Sequence, residues 1–211
     1  MTDRFEGRIV WITGASSGIG EALAQAYAAE GAHIILSGRR IEALEQVAAG
    51  LDCESLILPF ETTDYDALPS KVEEACNWKG KIDILVNNAG ISQRSLALDT
   101  HPDVHHRIIN VDLLAPIWLT QLLLPHMIEA GGGHIVGISS VAGRVGVPLR
   151  TAYCAAKHGL IGYMDALRAE TEKLHNVHVT NILPGSIRTN VSRNALTKDG
   201  ESRGKSDAAI D

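Results

Sequence analysis

Residues 8–28 read RIVWITGASSGIGEALAQAYA, an apolar run followed by a glycine-rich turn and then a helical pattern. In such a turn one glycine makes the tight bend, another lets the backbone approach a phosphate, and a third lets helix and strand pack closely. The free amides and the dipole of the helix start can then hold a pyrophosphate. The predicted contacts are Gly14, Ser16, Ser17, Gly18, Ile19 and Gly20. The spacing Gly-x-x-x-Gly-x-Gly differs from the Gly-x-Gly-x-x-Gly of other dinucleotide binders, so a glycine- and serine-rich surface turn is the alternative.

Short β-rich segments alternate with helical patterns along the rest of the chain. Strands are predicted at residues 33–37, 55–58, 83–86, 133–139 and 177–182, and helices at 41–49, around Val72 and Cys76, at 104–130 and around Tyr153. Pro116 is expected to bend the long helix. The alternation predicts an α/β fold, a Rossmann-like doubly wound parallel sheet with helices on both faces. It also predicts one domain, residues 1–191, and a flexible segment, residues 192–211, that begins a flap over the substrate.

The composition is that of a globular protein with a single sizeable core: 211 residues, 45% hydrophobic and 21% charged. A formal net charge of -6 argues against nucleic acid as a partner. The polar start predicts no signal peptide, and no apolar run is expected to approach a membrane span. Three widely spaced cysteines indicate neither a disulfide framework nor a zinc site, so a reducing, cytoplasmic location is expected.

The residues Ser37-Gly-Arg-Arg40 follow the second strand, where an NAD binder usually has an acidic residue for the ribose 2′-hydroxyl. The guanidiniums of Arg39 and Arg40 can instead bind a 2′-phosphate. The sequence therefore favours NADP(H), with NAD(H) as the alternative cofactor. Two solvated arginines are the other interpretation, which is weakened because a helix start disfavours cations. Glu61 and Asp64 follow the third strand, near the expected adenine position.

Tyr153 and Lys157 are four residues apart in a predicted helix and therefore lie on one face. A tyrosine hydroxyl titrates near ~10, and an ammonium within roughly 4–6 Å favours the phenolate. Such a pair can donate and accept a proton near neutral pH. A chance pair, with a partly buried tyrosine beside a solvated lysine, is the alternative.

Further motifs occur in chain order: Asn87-Asn-Ala-Gly90, Asn110, Ser139-Ser140 and Pro184-Gly185 followed by Thr189. Together with the glycine-rich turn and the Tyr153/Lys157 pair, they resemble the short-chain dehydrogenase/reductase family over residues 7–190. The segment Asn194-Ala-Leu-Thr-x-Asp-Gly200 is similar, more locally, to the "member seven"-like reductases of that family.

The resemblance implies a role for each matching residue. Tyr153 would be the general acid and base, Lys157 would lower its pKa and hold the nicotinamide ribose, and Ser140 would bind the substrate oxygen. Asn110 would fix a water in the proton relay behind Lys157. Asn88, Ala89 and Gly90 would border the adenosine ribose. The loop with Pro184, Gly185, Ile187 and Thr189 would contact the cofactor, with Ile187 and Thr189 at the carboxamide.

The same resemblance concerns the long helix and the chain's end. The apolar residues Val111, Leu114, Trp118, Leu122 and Leu123 are predicted to lie mostly in the core, and the matching family helix builds a dimer face, so a homodimer or homotetramer is expected. The pair Glu61-Thr62 stands where many relatives have an aspartate and an aliphatic residue. A seventh strand is expected to be missing, which would leave the sixth as an exposed edge. The chain would then be either a shortened version of a longer one or an incomplete relative.

These features predict an enzyme that acts on CH–OH donors with NAD(P)⁺ as acceptor. The expected substrate is a small to medium apolar carbonyl compound or secondary alcohol, as in a carbonyl reductase. A 3-oxoacyl-thioester reductase and a non-catalytic NADP(H)-binding sensor or scaffold are the alternatives. No metal is expected, because His101, His105 and His106 fit a solvated helix start better than a metal site. Neither nucleic acid nor membrane is an expected partner.

Overall fold

The strand Ile9–Thr13 lies at the middle of a six-stranded parallel sheet and is buried along its whole length. The structure, a computed structural model, describes residues 4–204. The strands are β1 Ile9–Thr13, β2 His33–Ser37, β3 Ser55–Ile57, β4 Ile84–Asn87, β5 Gly133–Ile138 and β6 Val177–Ile182. The helices are α1 Gly18–Ala28, α2 Ile41–Ala49, α3 Leu68–Lys79, α4 Pro102–Ile109, α5 Ala115–Glu129 and α6 Thr151–His175. A π-helical turn, Asn110–Leu114, joins α4 to α5, and a 3-10 turn, Val141–Gly143, follows β5.

The strand order is β3-β2-β1-β4-β5-β6, which confirms the predicted doubly wound sheet. Successive residues of β1 face opposite sides of the sheet. Ile9 and Trp11 pack with residues of α3, α5 and α6, whereas Val10 and Ile12 pack with residues of α1 and α2. Both faces are therefore covered, as a parallel sheet requires.

The order of the strands changes direction between β1 and β4, which pair in parallel from Val10 with Ile84 to Ile12 with Val86. The chain passes from β1 outward to β3 and then returns to the other side of β1. At such a switch point the loops after the two central strands turn apart and leave a crevice at their carboxyl ends. The fold therefore provides a cleft after Thr13 and Asn87.

The predicted long helix is interrupted by the π-helical turn Asn110–Leu114, directly before Pro116. In a regular α-helix the proline ring would clash with the carbonyl of residue 112 and one hydrogen bond would be lost. The helix is thus widened on the N-terminal side of Pro116, and the bend expected there stays a prediction. Leu123 is buried as predicted, but Leu114 is 39% exposed and Trp118 44% exposed, so part of the predicted core stripe faces outward.

One helical run, Pro102–Glu129, is long and apolar enough to span a membrane by length and composition. We expected no apolar run to approach the length of a membrane span, and by length and composition that expectation was wrong. Its mean hydropathy over an 18-residue window is 1.5, and 39% of that window is buried within the fold. Leu119, Leu123 and Met127 of this run pack in the core against the sheet. Core helices of globular proteins meet the same criterion, so the run carries no conclusion about a membrane.

β6 forms one outer edge of the sheet, and among residues 4–204 no strand pairs with its outer side. Part of the chain between β6 and Gly204 packs against the rest of the fold. Ala195 and Leu196 are buried, and the Leu196 N–H donates to the Ser92 carbonyl at 2.8 Å. The flexibility predicted for residues 192–211, whose last seven residues lie outside the described part of the chain, stays a prediction.

Candidate active site

A cleft of about 1070 Å³ opens at the carboxyl ends of β1, β4 and β5. Its lining includes every residue predicted for cofactor binding or catalysis except Gly20. These residues come from the glycine-rich turn, the ends of β2 and β4, the π-helical turn, α6 and the loop after β6. Gly20 does not reach the surface of the cleft, because it is buried in the first turn of α1.

The glycine-rich turn is packed so closely that side chains cannot be accommodated at key points. Gly14 has a φ of 65°, a left-handed conformation that glycine adopts without strain. A Cβ on Gly20 would lie 2.4 Å from the Gly14 carbonyl oxygen and 2.6 Å from the Asn88 amide nitrogen. That Asn88 amide donates to the carbonyl of Thr13 at 2.9 Å, and the Thr13 hydroxyl accepts from the Ala89 N–H at 3.1 Å. The turn is therefore tied to the end of β4.

The start of α1 faces the cleft. Its N-cap residue, Ser17, makes no side-chain cap hydrogen bond, and Ser17, Gly18 and Ile19 line the cleft. Uncapped first-turn N–H groups together with the helix dipole favour an anion. The tight packing and the free amides fit the pyrophosphate of a dinucleotide better than they fit an ordinary surface turn.

Arg39 and Arg40 lie beside this turn, at the end of β2. Arg39 pairs with Glu61 at 3.2 Å, and an Arg40 guanidinium nitrogen donates to the Ser16 hydroxyl at 3.2 Å. Both arginines are exposed and both line the cleft. Two guanidiniums are thus present where the ribose of a bound dinucleotide would meet β2. Glu61 lies in the same place and holds one of them.

Lys157 is buried, which is contrary to the solvated lysine of the chance interpretation. Its ammonium lies 5.7 Å from the centre of the Tyr153 ring, and it donates to the Ile138 carbonyl at 3.1 Å. Tyr153 is half-buried, and both side chains line the cleft. The four-residue spacing on α6 therefore brings a phenol and a buried ammonium to one wall of the cleft.

The two serines after β5 have different environments. The hydroxyl of Ser139 is buried and donates to the Lys157 carbonyl at 3.0 Å, which holds the loop against α6. The hydroxyl of Ser140 accepts from the Ala142 N–H at 3.1 Å as the N-cap of the 3-10 turn, and Ser140 is less buried. An accepting hydroxyl still has its own proton to donate to another group. Ser140 can thus donate a hydrogen bond within the cleft.

The carboxylate of Asp112 is the neighbour of Lys157 that sequence reasoning missed. One oxygen, Oδ2, lies 3.2 Å from the Lys157 nitrogen, and the other, Oδ1, accepts from the Ile91 N–H at 2.8 Å. Asn110 lines the cleft, but within residues 4–204 it makes no hydrogen bond to Lys157. The role of Asn110 in a relay stays a prediction. A charged residue in the apolar stretch 108–119 was the available signal for Asp112.

Burial affects the pKa of both Asp112 and Lys157. Burial raises the pKa of the Asp112 carboxyl, and the charge of Lys157 and the Ile91 N–H oppose that shift without cancelling it. Burial acts to lower the pKa of Lys157, but the negative charges of Asp112 and Tyr153 outweigh it, so that pKa is raised. A raised pKa of Asp112 favours its neutral form, whereas the raised pKa of Lys157 requires an ionised Asp112. The 3.2 Å contact favours both groups being charged at neutral pH.

Gln93 anchors the first turn of α6 and was also not predicted. This buried side chain accepts from the Ala152 N–H at 3.1 Å through its oxygen. Its nitrogen donates to the hydroxyls of Ser95 at 3.1 Å and Thr100 at 3.2 Å. The loop after β4 is therefore joined to the residue that precedes Tyr153. A glutamine in a loop has no sequence pattern that marks it as buried.

The sequence profile of the short chain dehydrogenases matches residues 8–200. This chain belongs to that family. Two curated relatives are the dehydrogenase/reductase SDR family member 7B of Bos taurus, 41% identical over 208 residues, and the family protein 7-like of Anopheles gambiae, 44% identical over 211 residues. The alignments cover 94% and 96% of this chain, but only 64% and 66% of those proteins. The chain thus spans less than two thirds of the length of these relatives.

Solved structures of the family have the same fold. The crystal structure of levodione reductase is 30% identical and superposes with a TM-score of 0.87, covering 90% of this chain and 76% of that one. The family resemblance predicted from the motifs is therefore confirmed, including its local similarity to "member seven" relatives.

Proposed function

We propose that this short-chain dehydrogenase is an NADP(H)-dependent oxidoreductase that interconverts a carbonyl compound and a secondary alcohol, with Tyr153 as the general acid and base. The observation that carries the proposal is the buried Lys157 ammonium, 5.7 Å from the Tyr153 ring on one wall of the cleft. A buried positive charge beside a phenol favours proton transfer at that oxygen. The chain's family and the name of its neighbour levodione reductase support an oxidoreductase.

Different residues along the cleft would have different roles in the reaction. The uncapped amides of α1 and the glycine-rich turn would hold the pyrophosphate, and Asn88, Ala89 and Gly90 would border the adenosine ribose. A bound nicotinamide supplies or accepts the hydride. Lys157 would hold the nicotinamide ribose, Ile187 and Thr189 would lie at its carboxamide, and Ser140 would hydrogen-bond the substrate oxygen. Tyr153 would give that oxygen a proton during reduction and take it back during oxidation.

The cleft also supports an apolar substrate. Val141, Ile187 and Val191 line it and are large apolar side chains that remain partly exposed. Exposed apolar side chains around a polar centre are typical of a small-molecule site. Among carbonyl compounds, small to medium apolar ketones and aldehydes therefore fit best.

The function is tested by following NADPH oxidation with a panel of apolar ketones, aldehydes and 3-oxoacyl thioesters. We expect turnover with ketones or aldehydes. Turnover restricted to thioesters would favour a 3-oxoacyl-thioester reductase. Tight NADPH binding without oxidation across the panel would favour the sensor or scaffold and would contradict the enzyme proposal. Because the relatives are longer, the same panel is run on any longer form of the chain.

The choice of cofactor is tested by replacing Arg39 and Arg40 together with alanine. Loss of two charged hydrogen-bond donors is expected to weaken NADPH by about 10- to 100-fold and NADH by less than about threefold. Calorimetric titration of each nucleotide measures both. Arg4→Ala is the control, because Arg4 pairs with Glu30 at 2.9 Å outside the cleft. Equal losses for NADPH and NADH would refute the 2′-phosphate assignment.

A homodimer or homotetramer is part of the proposal. Leu114 and Trp118 are exposed on one side of the π-helical turn and α5. Exposed large apolar side chains on a helix are typical of an interface between subunits.

A further inference from the structure

The ion pair between Lys157 and Asp112 lies in the wall of the cleft and packs against the backbone of Gly90. A Cβ on Gly90 would lie 3.3 Å from Asp112 Oδ2 and 3.4 Å from the Lys157 nitrogen, so the glycine packs directly against both charges. The side chain of Asp112 is fully buried, and that of Lys157 is 5% exposed. Charges shielded from solvent in this way interact much more strongly than surface pairs.

The two oxygens of Asp112 have different partners. Oδ1 accepts the Ile91 N–H at 2.8 Å, and among residues 4–204 the buried Oδ2 has no partner other than the Lys157 ammonium at 3.2 Å. The charge of Asp112 therefore acts directly on Lys157.

Lys157 also interacts with Tyr153. The negative charge of an ionised Tyr153 is one cause of the raised pKa of Lys157, second to that of Asp112 among the charges that act on it. The Lys157 ammonium lies 5.7 Å from the centre of the Tyr153 ring, so its charge acts on that ring. Asp112 places a negative charge 3.2 Å from the same ammonium, where it offsets part of that positive charge.

We propose that Asp112 is a positioning residue that balances the charge of Lys157 and so limits how readily Tyr153 ionises. The proposal deepens the proposed function, on which its catalytic consequence rests. With Asp112 ionised, the positive charge that acts on Tyr153 is reduced, so Tyr153 keeps its proton and can act as an acid. Without it, Tyr153 faces an uncompensated buried cation and shifts towards the phenolate.

Other charged groups around this centre do not replace Asp112. The loop after β4 offers the Ile91 N–H and β5 offers the Ile138 carbonyl, both uncharged. The remaining charged side chains that line the cleft are Arg39, Arg40, Glu61, Arg94, Arg107 and Arg150. The arginines are cations and not carboxylates, and Glu61 pairs with Arg39 at 3.2 Å. Asp112 is thus the carboxylate in contact with Lys157.

The test measures Tyr153 ionisation without turnover. Ring-labelled tyrosine is followed by carbon NMR, and Tyr153→Phe identifies its signal among the four tyrosines. At a fixed pH we expect the phenolate-to-phenol ratio to rise about tenfold in Asp112→Asn and to fall about tenfold in Lys157→Met. The double variant Asp112→Asn/Lys157→Met, which removes both charges, should return to within about threefold of the wild type.

An unchanged or lower ratio in Asp112→Asn would overturn the proposal. If that variant does not fold, Lys157→Met is compared with the double variant, whose ratio must be about tenfold higher; equal ratios would overturn it too. In the enzyme, the alkaline limb of kcat for carbonyl reduction should move about one pH unit lower in Asp112→Asn, with KM unchanged. A merely structural role would lower kcat without moving that limb. If no carbonyl is reduced, the proposed function fails, while the NMR ratios still decide the role of Asp112.

Discussion

Tyr153→Phe is expected to lower kcat for carbonyl reduction by about 10³-fold. The substitution keeps the ring, whose centre lies 5.7 Å from the Lys157 ammonium, but removes the only proton that the side chain can transfer. Hydride transfer to a carbonyl without this acid would leave an alkoxide in the cleft with no phenolic proton to neutralise it. Steady-state NADPH oxidation measures kcat, and calorimetry should show NADPH affinity within about twofold of the wild type.

Tyr163→Phe is the matched control for this substitution. Tyr163 lies ten residues further along α6, is partly buried against the core, and does not line the cleft. Loss of its hydroxyl should leave kcat within about twofold of the wild type. Near-normal turnover by Tyr153→Phe, or an equal loss in both variants, would show that Tyr153 is not the proton donor.

Gly20→Ala is expected to lower the free energy of unfolding by about 2 kcal/mol and NADPH affinity by at least about tenfold. The new Cβ would meet the Gly14 carbonyl oxygen at 2.4 Å, and backbone atoms cannot move aside as a flexible side chain can. The first turn of α1 must shift away from β1, which displaces the amides proposed to hold the pyrophosphate. Urea denaturation measures the stability, and nucleotide titration measures the affinity.

Gly162→Ala provides the comparison for a glycine with space. Gly162 is exposed in the middle of α6, and a Cβ there meets nothing within 4 Å. Alanine lowers the conformational entropy of the unfolded chain, so stability should rise by about 0.5–1 kcal/mol with NADPH affinity unchanged. If Gly20→Ala changed stability and NADPH affinity in the same way as Gly162→Ala, close packing would not explain the need for glycine at position 20.

The fold was predictable because local signals agree with one another. The runs at 9–13 and 33–37 are apolar, bounded by glycine and followed by helical periodicity, and each became a strand within a residue of its expected end. Strand order could not be read in this way, since it depends on which faces the helices cover. The π-helical turn could not be predicted either, because Pro116 indicates an irregular helix but not the form of the irregularity.

The site was predictable where motifs have fixed spacing and not where contacts are long-range. Tyr153 and Lys157 lie together because four residues make about one helical turn. Asp112 and Gln93 are joined to α6 only by the fold, 45 and 59 residues away from their partners Lys157 and Ala152 in sequence. The family resemblance indicated Asn110, whereas the structure brings Asp112, in the same π-helical turn, to Lys157.

The buried Gln93 also has a consequence for local unfolding. The N–H of Ala152 belongs to the first turn of a helix, where amides usually face solvent and fray. Here it is held by a side chain that also binds Ser95 and Thr100. Opening that turn would break the hydrogen bond between Ala152 and Gln93, so we expect the amides of this turn and of the loop after β4 to exchange together. The start of the helix that carries Tyr153 is thereby coupled to that loop.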